Sequence, residues 1–595
     1  MAFREEDRTV VSHVTSRRPS GSGEGPLMKE AHEPLELGGP RWAFTSFEMD
    51  LDGYVDQFNE QVIGAYSGGK GGALPADVGI ARSLVPPGTG VFRDFSHVSP
   101  ELPHFIVDKC VACMECVTAC PDTAILAKVA EPHIVDAQAE SILDEAERED
   151  FRGQWAETTK FHGVYAKKGE SGGLFAIYVD PAKCKGCGEC VEVCGSHEAL
   201  TMVTKEEPLV DRYRARTQHM QEIPEPPERF VARKLPVDTM LHEERALLYV
   251  GGAGSCAGCG EATAIRMMLA ATGEEFPRAD IGIIAATGCN TVYGSTYPHN
   301  PFRVTWSNSL FENAPAVAMG VRTRWEQQGM GHKRLWVIGG DGAMYDIGFQ
   351  ALSRLLASGM DVKVLVLDTQ VYSNTGGQAS TATPTGAAAK MAPHGSAIPG
   401  KVERRKELSN IAMMHPGVFV AQTCTAYIPH FYQAIKDANS YPGPALVNVY
   451  TTCQPEHGVA DDVSQLQARR AVTSRTFPMF VFDPRKGERM RERLSLRGNP
   501  GAADDWATDP KTKQPYTFVE FARSEGRFAK QFGADGAPSE ALLAAQADRL
   551  ANWHLLQELA GVGAPSAANK AAAPGGANKA AAPAKGPAKQ EAPAA

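Results

Sequence analysis

The chain has 595 residues, enough for three or four domains at about 150 residues each. Hydrophobic residues at 43% and charged residues at 22% are ordinary globular values and exclude a disordered, collagenous or fibrous chain. Sixty Lys and Arg against seventy Asp and Glu give a formal charge of -10, which argues against nucleic-acid wrapping and adhesion to anionic membranes. The opening MAFREEDRTVV lacks the apolar core of a signal peptide, and no uninterrupted 18-residue apolar run occurs. A soluble, cytoplasmic protein is therefore expected. In a reducing compartment, thirteen cysteines point to metal or redox chemistry rather than to a disulfide framework.

Residues 1–40 are polar, lack sustained periodicity and read as a flexible arm. Residues 41–235 hold eight cysteines in two matching runs. Cys110, Cys113, Cys116 and Cys120 form C-x2-C-x2-C-x3-C, followed by Pro121; Cys184, Cys187, Cys190 and Cys194 repeat the spacing, with Gly195 in place of the proline. This is the two-cluster ferredoxin arrangement, in which three close thiolates hold one [4Fe-4S] cube and the fourth crosses to the other. It assigns Cys110, Cys113, Cys116 and Cys194 to one cluster, and Cys184, Cys187, Cys190 and Cys120 to the second. Zinc is the rival, but it usually takes two separated C-x-x-C pairs. The insertion between the runs contains the acidic stretch VDAQAESILDEAERED, read as a helix with a solvated face. The polar, Pro-rich EEPLVDRYRARTQHMQEIPEPPERF then reads as a linker.

Residues 236–560 form the second body. Cys256 and Cys259 sit in a C-x-x-C that opens a helix, and Cys289 follows the strand-like IGIIAATG. In LWVIGGDGAM, residues 335–338 read as a strand, 346–358 as a helix ending before Gly359, and 362–368 as another buried strand. Ligands of such β-α-β units sit beyond the carboxyl ends of the strands. Asp341 ends the first strand, and Thr369, Val371 and Asn374 follow the second. A carboxylate, a hydroxyl, a backbone carbonyl and an amide oxygen make a hard shell suited to Mg2+ bridging a diphosphate. The backbone of Gly340, Gly342 and Ala343 can approach the phosphates at the positive end of the helix. Cys453 follows ALVNVYTT, so Cys289 and Cys453 fall at the same edge as Asp341, and four thiols can converge there. Zinc remains a rival for Cys256 and Cys259 taken alone. Cys424 reads as a core thiol, and His299 and Asn308 as structural loop residues. Residues 561–595, almost entirely Ala, Pro, Gly and Lys, read as a disordered tail.

With the loop DTQVYSNTGGQASTATPTGA, the GDG run resembles the thiamin-diphosphate domain of the 2-oxoacid:ferredoxin oxidoreductase family, and CAGCGE resembles the same family. The resemblance covers residues about 41–560 and extends to the family's carboxyl-terminal cluster domains. It implies that Asp341, Thr369, Asn374 and the Val371 carbonyl bind Mg2+ and the diphosphate, with Asn374 also near the substrate. It further implies a third [4Fe-4S] cluster on Cys256, Cys259, Cys289 and Cys453 beside the cofactor, and contact of Glu261 with thiamin diphosphate. Asn374 and Glu261 are the catalytic candidates. Coenzyme A is the implied acyl acceptor, and ferredoxin or flavodoxin the electron carrier.

Thiamin enzymes of this kind also need a carboxylate beside the aminopyrimidine. Residues 1–105 are too few and too poor in strands to supply that domain, so a partner subunit bearing the catalytic glutamate is expected, in a dimer of heterodimers. CAGCGE and YSNTGGQ look pyruvate-type. The alternatives are 2-oxoglutarate as substrate and a non-catalytic electron-transfer subunit. The expected fold class is α/β, a doubly wound thiamin-diphosphate-binding domain plus a ferredoxin-like α+β domain with two clusters.

Overall fold

The computed structural model describes residues 51–74, 85–232, 236–393 and 399–563. The arm expected at 1–40, and the tail from 564 onward, lie outside the described residues. In the cluster body two antiparallel pairs frame the cysteine runs: β1 (Glu101–Phe105) with β4 (Leu200–Thr204), and β2 (Ile125–Ala130) with β3 (Leu174–Val179).

The two runs share one backbone path. Ala112 and Met114 in the first run, and Gly186 and Gly188 at the same offsets in the second, all take left-handed φ values between 57° and 82°. Glycine adopts this region freely, whereas Ala112 and Met114 each cost about 1–2 kcal/mol there. The bend turns the Ala112 amide toward Cys110 Sγ at 3.4 Å. After each run a further left-handed residue, Thr123 or Glu198, precedes an amide that donates to sulfur, Ala124 N to Cys120 Sγ at 3.3 Å and Ala199 N to Cys194 Sγ at 3.2 Å.

Two segments differ from the sequence reading. The acidic stretch is not one helix but two, Pro132–Ser141 and Glu145–Arg152, because Asp144 accepts from Glu147 N at 2.9 Å and starts the second. The expected linker is largely the helix Glu207–Glu222, which buries Val210, Tyr213, Thr217 and Met220. Those residues follow helical spacing, so a narrow apolar stripe lies beneath a charged surface. Arg216 fixes the helix to the insertion through a bidentate pair with Asp150 at 2.7 and 2.9 Å.

The second body is built on eight strands: β5 (Ile281–Ala286), β6 (Thr305–Ser309), β7 (Arg334–Gly340), β8 (Lys363–Asp368), β9 (Phe419–Cys424), β10 (Ala445–Tyr450), β11 (Phe480–Phe482) and β12 (Leu494–Ser495). Their order is β12-β11-β9-β10-β8-β7-β5-β6; the run from β9 to β6 is parallel, and β11 and β12 join antiparallel. The parallel strands other than β6 are apolar runs because helices cover both faces. Along β8, Leu365 and Leu367 face one core, and Val364 and Val366 face the other with Leu352 and Leu355. The chain passes from β5 to β6 on one side, then returns to place β7 on the other side of β5. That reversal opens a crevice beyond the carboxyl ends of β5 and β7.

The two bodies share a core. Phe105, Val117 and Tyr178 of the cluster body belong to the same apolar cluster as Met267, Ile283 and Trp336. Polar contacts reinforce it: Glu189 accepts from Ser464 N at 2.7 Å and from Gln465 N at 2.9 Å. Phe58, Val62 and Ile63 pack with Tyr297, and Gly90 N donates to Asn300 O at 2.9 Å, so part of the stretch before β1 lies on the second body. Among the described residues no helix is long and apolar enough to cross a membrane.

Candidate functional site

The loops after β5, β7 and β8 enclose a cleft of about 290 Å³. Asp341 follows β7 and is only 2% exposed. Thr369 Oγ1 lies 3.1 Å from Asp341 Oδ1 and 2.9 Å from the Val371 carbonyl. Adjacent oxygens in an octahedral shell with Mg–O distances of 2.0–2.1 Å are about 2.9 Å apart. Of the four oxygens named from the sequence, the Thr369 hydroxyl thus stands at the spacing of neighbouring ligands on one small dication from two others, Asp341 Oδ1 and the Val371 carbonyl. Burial, with Asp368 nearby, pushes the Asp341 carboxyl well above the usual carboxylate range. Among the described residues no Lys or Arg pairs with it, so the donor set fits a divalent cation as its countercharge.

Further side chains that the sequence reading did not assign shape this loop. Ser380 donates to the second oxygen of Asp341. Gln370 takes a left-handed φ of 60°, and its amide oxygen accepts from Arg527 at 2.7 Å. His457 Nε2 bonds the Thr369 carbonyl at 2.7 Å; burial holds its imidazole down at about 4, in the neutral state. Ser380 lies in the quoted loop and was within reach of a reading that counted hydroxyls. Arg527 and His457 carry no local signal.

The cleft is lined by the backbone of Gly340, Gly342 and Ala343, and by Glu261, Cys289 and Asn374. A Cβ at Gly342 would fall 2.7 Å from the Tyr372 ring, so glycine is required for close approach. Asn374 is exposed and lines the same cleft as Asp341, Thr369 and Val371. Glu261 sits in the first turn of the helix Gly260–Gly273, 4% exposed, and accepts from Tyr293 Oη at 3.4 Å. Burial raises its carboxyl to about 8, which makes it a neutral donor near pH 7.

Twelve cysteines fall into three sets that feel one another's charge. Cys110, Cys113 and Cys116 lie near Cys194, and Cys184, Cys187 and Cys190 near Cys120, with Cys116 also acting on Cys190. Cys256, Cys259, Cys289 and Cys453 form the third set, with Cys289 also lining the cleft. Burial pushes the thiols up, Cys110 and Cys453 to about 11 and Cys184 to about 12, so metal loading has to displace protons. Cys424 is fully buried in another core and donates to the Ala468 carbonyl at 3.8 Å. Neither His299 nor Asn308 lines the cleft; Asn308 accepts from Thr291 Oγ1 at 3.1 Å.

The turn between Cys256 and Cys259 depends on Gly258, whose φ is +69° and whose added Cβ would lie 1.9 Å from the Asp461 carbonyl. Gly258→Ala is expected to lower the stability of the metal-free chain by at least about 1–2 kcal/mol from the left-handed strain, with the clash adding to it. Urea unfolding of variant and parent measures this; equal midpoints would contradict it.

Residues 286–449 match the thiamine pyrophosphate enzyme C-terminal TPP binding domain, and residues 109–199 match the 4Fe-4S dicluster domain. A protein named probable pyruvate-flavodoxin oxidoreductase from Escherichia coli strain K12 is 30% identical over 525 residues, covering 74% of this chain and 41% of that protein. Pyruvate-flavodoxin oxidoreductase of Rhodospirillum rubrum is 27% identical over 634 residues, covering 93% of this chain and 48% of that protein. Pyruvate:ferredoxin oxidoreductase of Moorella thermoacetica is 28% identical over 508 residues, covering 72% and 40%. The chain thus spans less than half the length of these relatives. Among solved structures, 2-oxoglutarate:ferredoxin oxidoreductase from Magnetococcus marinus aligns over 34% of this chain and 65% of its own, at 21% identity and a TM-score of 0.30.

Proposed function

Because the chain belongs to the 2-oxoacid:ferredoxin oxidoreductase family, we propose that it is the thiamin-diphosphate and iron–sulfur half of an enzyme converting pyruvate, coenzyme A and two oxidised ferredoxins or flavodoxins to acetyl-CoA, CO2 and the reduced carriers. The observation that carries this reading is the position of Cys289, which lines the same cleft as Asp341 and Glu261. A redox-active thiol set there stands against the place where carbon chemistry occurs. Thiamin diphosphate, when bound, supplies an electron sink for decarboxylation, and [4Fe-4S] clusters take up electrons one at a time.

The chain's own residues prepare that chemistry. Asp341, the Thr369 hydroxyl and the Val371 carbonyl hold Mg2+, while the backbone of Gly340, Gly342 and Ala343 approaches the diphosphate. Glu261, protonated near neutral pH, offers a hydrogen bond into the cleft, and Asn374 meets substrate from its wall. The three cysteine sets carry three clusters, and the enzyme works in the cytoplasm, where the thiols stay reduced.

The surface around the cleft supports the need for a partner subunit. Phe311 and Ile347 line the cleft yet are 39% and 60% exposed, and Val292 and Leu310 beside them are 50% and 61% exposed. The adjacent edge strand, β6, is exposed or half-buried along its whole length. An apolar rim around a polar cofactor cleft, next to an open sheet edge, is suited to a docking subunit. That subunit brings the pyrimidine-side domain and its glutamate, and the holoenzyme is a dimer of such heterodimers.

The test is reconstitution. The purified full chain with intact clusters is expected to oxidise no pyruvate with coenzyme A and a dye acceptor, and to do so once its partner is added. Full activity of the chain alone would overturn the partner requirement. Turnover of 2-oxoglutarate in place of pyruvate would replace the substrate, and absence of bound thiamin diphosphate would overturn the catalytic reading.

A further inference from the structure

Arg266 is 1% exposed, on the helix that begins beside Cys259 and Glu261 and runs against the cluster body. One turn before it, Thr263 Oγ1 lies 3.3 Å from the Ala119 carbonyl. Arg266 Nη1 donates to the carbonyls of Val117 and, at 2.9 Å, Cys120, at the end of the short helix Glu115–Ala119. Its Nε and Nη2 are buried with no hydrogen-bond partner. Among the described residues no carboxylate forms an ion pair with it.

The nearby anion is already spoken for. Asp122 pairs with Lys185 at 2.7 Å, and Lys185 also donates to the Ser255 carbonyl at 2.8 Å and to Ser255 Oγ at 2.9 Å. Tyr432, the other polar neighbour, is held neutral by burial. A buried guanidinium without a counter-anion is costly, and such groups persist where a charge compensates them. The remaining neighbours whose charge would act on Arg266 are the sulfurs of Cys120 and Cys116, anionic once they are cluster ligands, and they belong to the two different ferredoxin-type sets.

We propose that Arg266 is the buried countercharge of the two ferredoxin-type clusters, standing at their junction and raising their reduction potentials, that of the Cys120-ligated cluster most. This rests on the cluster reading above. One-electron reduction adds one negative charge to each cube and its four thiolates, and a fixed cation within this low-dielectric core favours the reduced form. Arg266 thereby acts through the clusters as a positioning residue, tying the helix that starts at the third cysteine set to the electrostatics of the other two.

A helix-capping role alone would account for the two carbonyl bonds, and the experiment separates it from this proposal. The full chain with clusters is titrated with dithionite under EPR detection, comparing the parent with Arg266→Met and Arg266→Lys. Arg266→Met is expected to make reduction of the Cys120-ligated cluster at least about tenfold less favourable, about 59 mV for one electron. Arg266→Lys, which keeps the charge, is expected to recover most of that shift. In the metal-free chain, Arg266→Met is expected to unfold at no lower urea than the parent, because an uncompensated charge has gone. Unchanged potentials in Arg266→Met, with cluster signals present, would overturn the proposal. If the parent itself lacks [4Fe-4S] signals, it is the cluster reading that falls.

Discussion

Asp341→Asn is expected to abolish 2-oxoacid oxidation in the reconstituted complex while leaving the chain folded. The carboxylate meets the Thr369 hydroxyl at 3.1 Å, which itself bonds the Val371 carbonyl, and a second hydroxyl from Ser380, and among the described residues no Lys or Arg forms an ion pair with it. Asparagine has the same shape but no charge for a dication to neutralise. Breaking a buried charge pair costs about 3–5 kcal/mol, so magnesium-dependent affinity for thiamin diphosphate should fall by about two to three orders of magnitude or more.

Stability should move the other way. Burial favours the protonated form of Asp341 in the folded chain, so its contribution is complete at low pH and declines as the pH rises through the raised value. Asparagine has nothing to ionise. The ligand-free variant should therefore resist urea at neutral pH at least as well as the parent. Calorimetric titration with thiamin diphosphate and Mg2+, alongside urea melts, checks both halves. Parent-like affinity would remove Asp341 from the metal site.

Cys289→Ser should lose about a third of the iron and silence the enzyme toward a dye acceptor. Cys289 starts the helix after β5, faces Cys259, Cys453 and Cys256, and lines the cleft. Serine fits the space, but a hard alkoxide is a poor substitute for a soft thiolate at iron. The two ferredoxin-type signals should persist, since their sulfurs belong to other sets, and thiamin binding should survive because the Asp341 loop is untouched. Undiminished iron and turnover would show that the third set holds no cluster that the reaction needs.

Much of this site is readable before any coordinates exist, for a physical reason. Cysteine spacing and the Gly-Asp-Gly break in an apolar run are local demands: thiolates must reach one cube, and a backbone must reach a phosphate. The parallel strands were legible as well, because burial on both faces leaves an unbroken apolar signature in β5, β7, β8 and β10.

What escaped was set by distance and by competition. Arg527 steadies Gln370 from 157 positions away, and His457 bonds the Thr369 carbonyl from 88; no short window contains either pair. The helix Glu207–Glu222 escaped because its stripe of Val210, Tyr213, Thr217 and Met220 is outnumbered by charge and flanked by proline.

The unbroken core between the two bodies bears on how electrons can be handled. Redox enzymes that mount a carrier domain on a hinge let it swing between stations, so turnover waits on a diffusive search. Here Val117 and Met267 pack in one apolar mass, and Glu189 grips the backbone at Ser464 and Gln465. Among the described residues, neither body is free to swing on the other. The separations between the cysteine sets are therefore fixed once, when the chain folds; on the function proposed above, electron tunnelling across them would be a constant of the molecule.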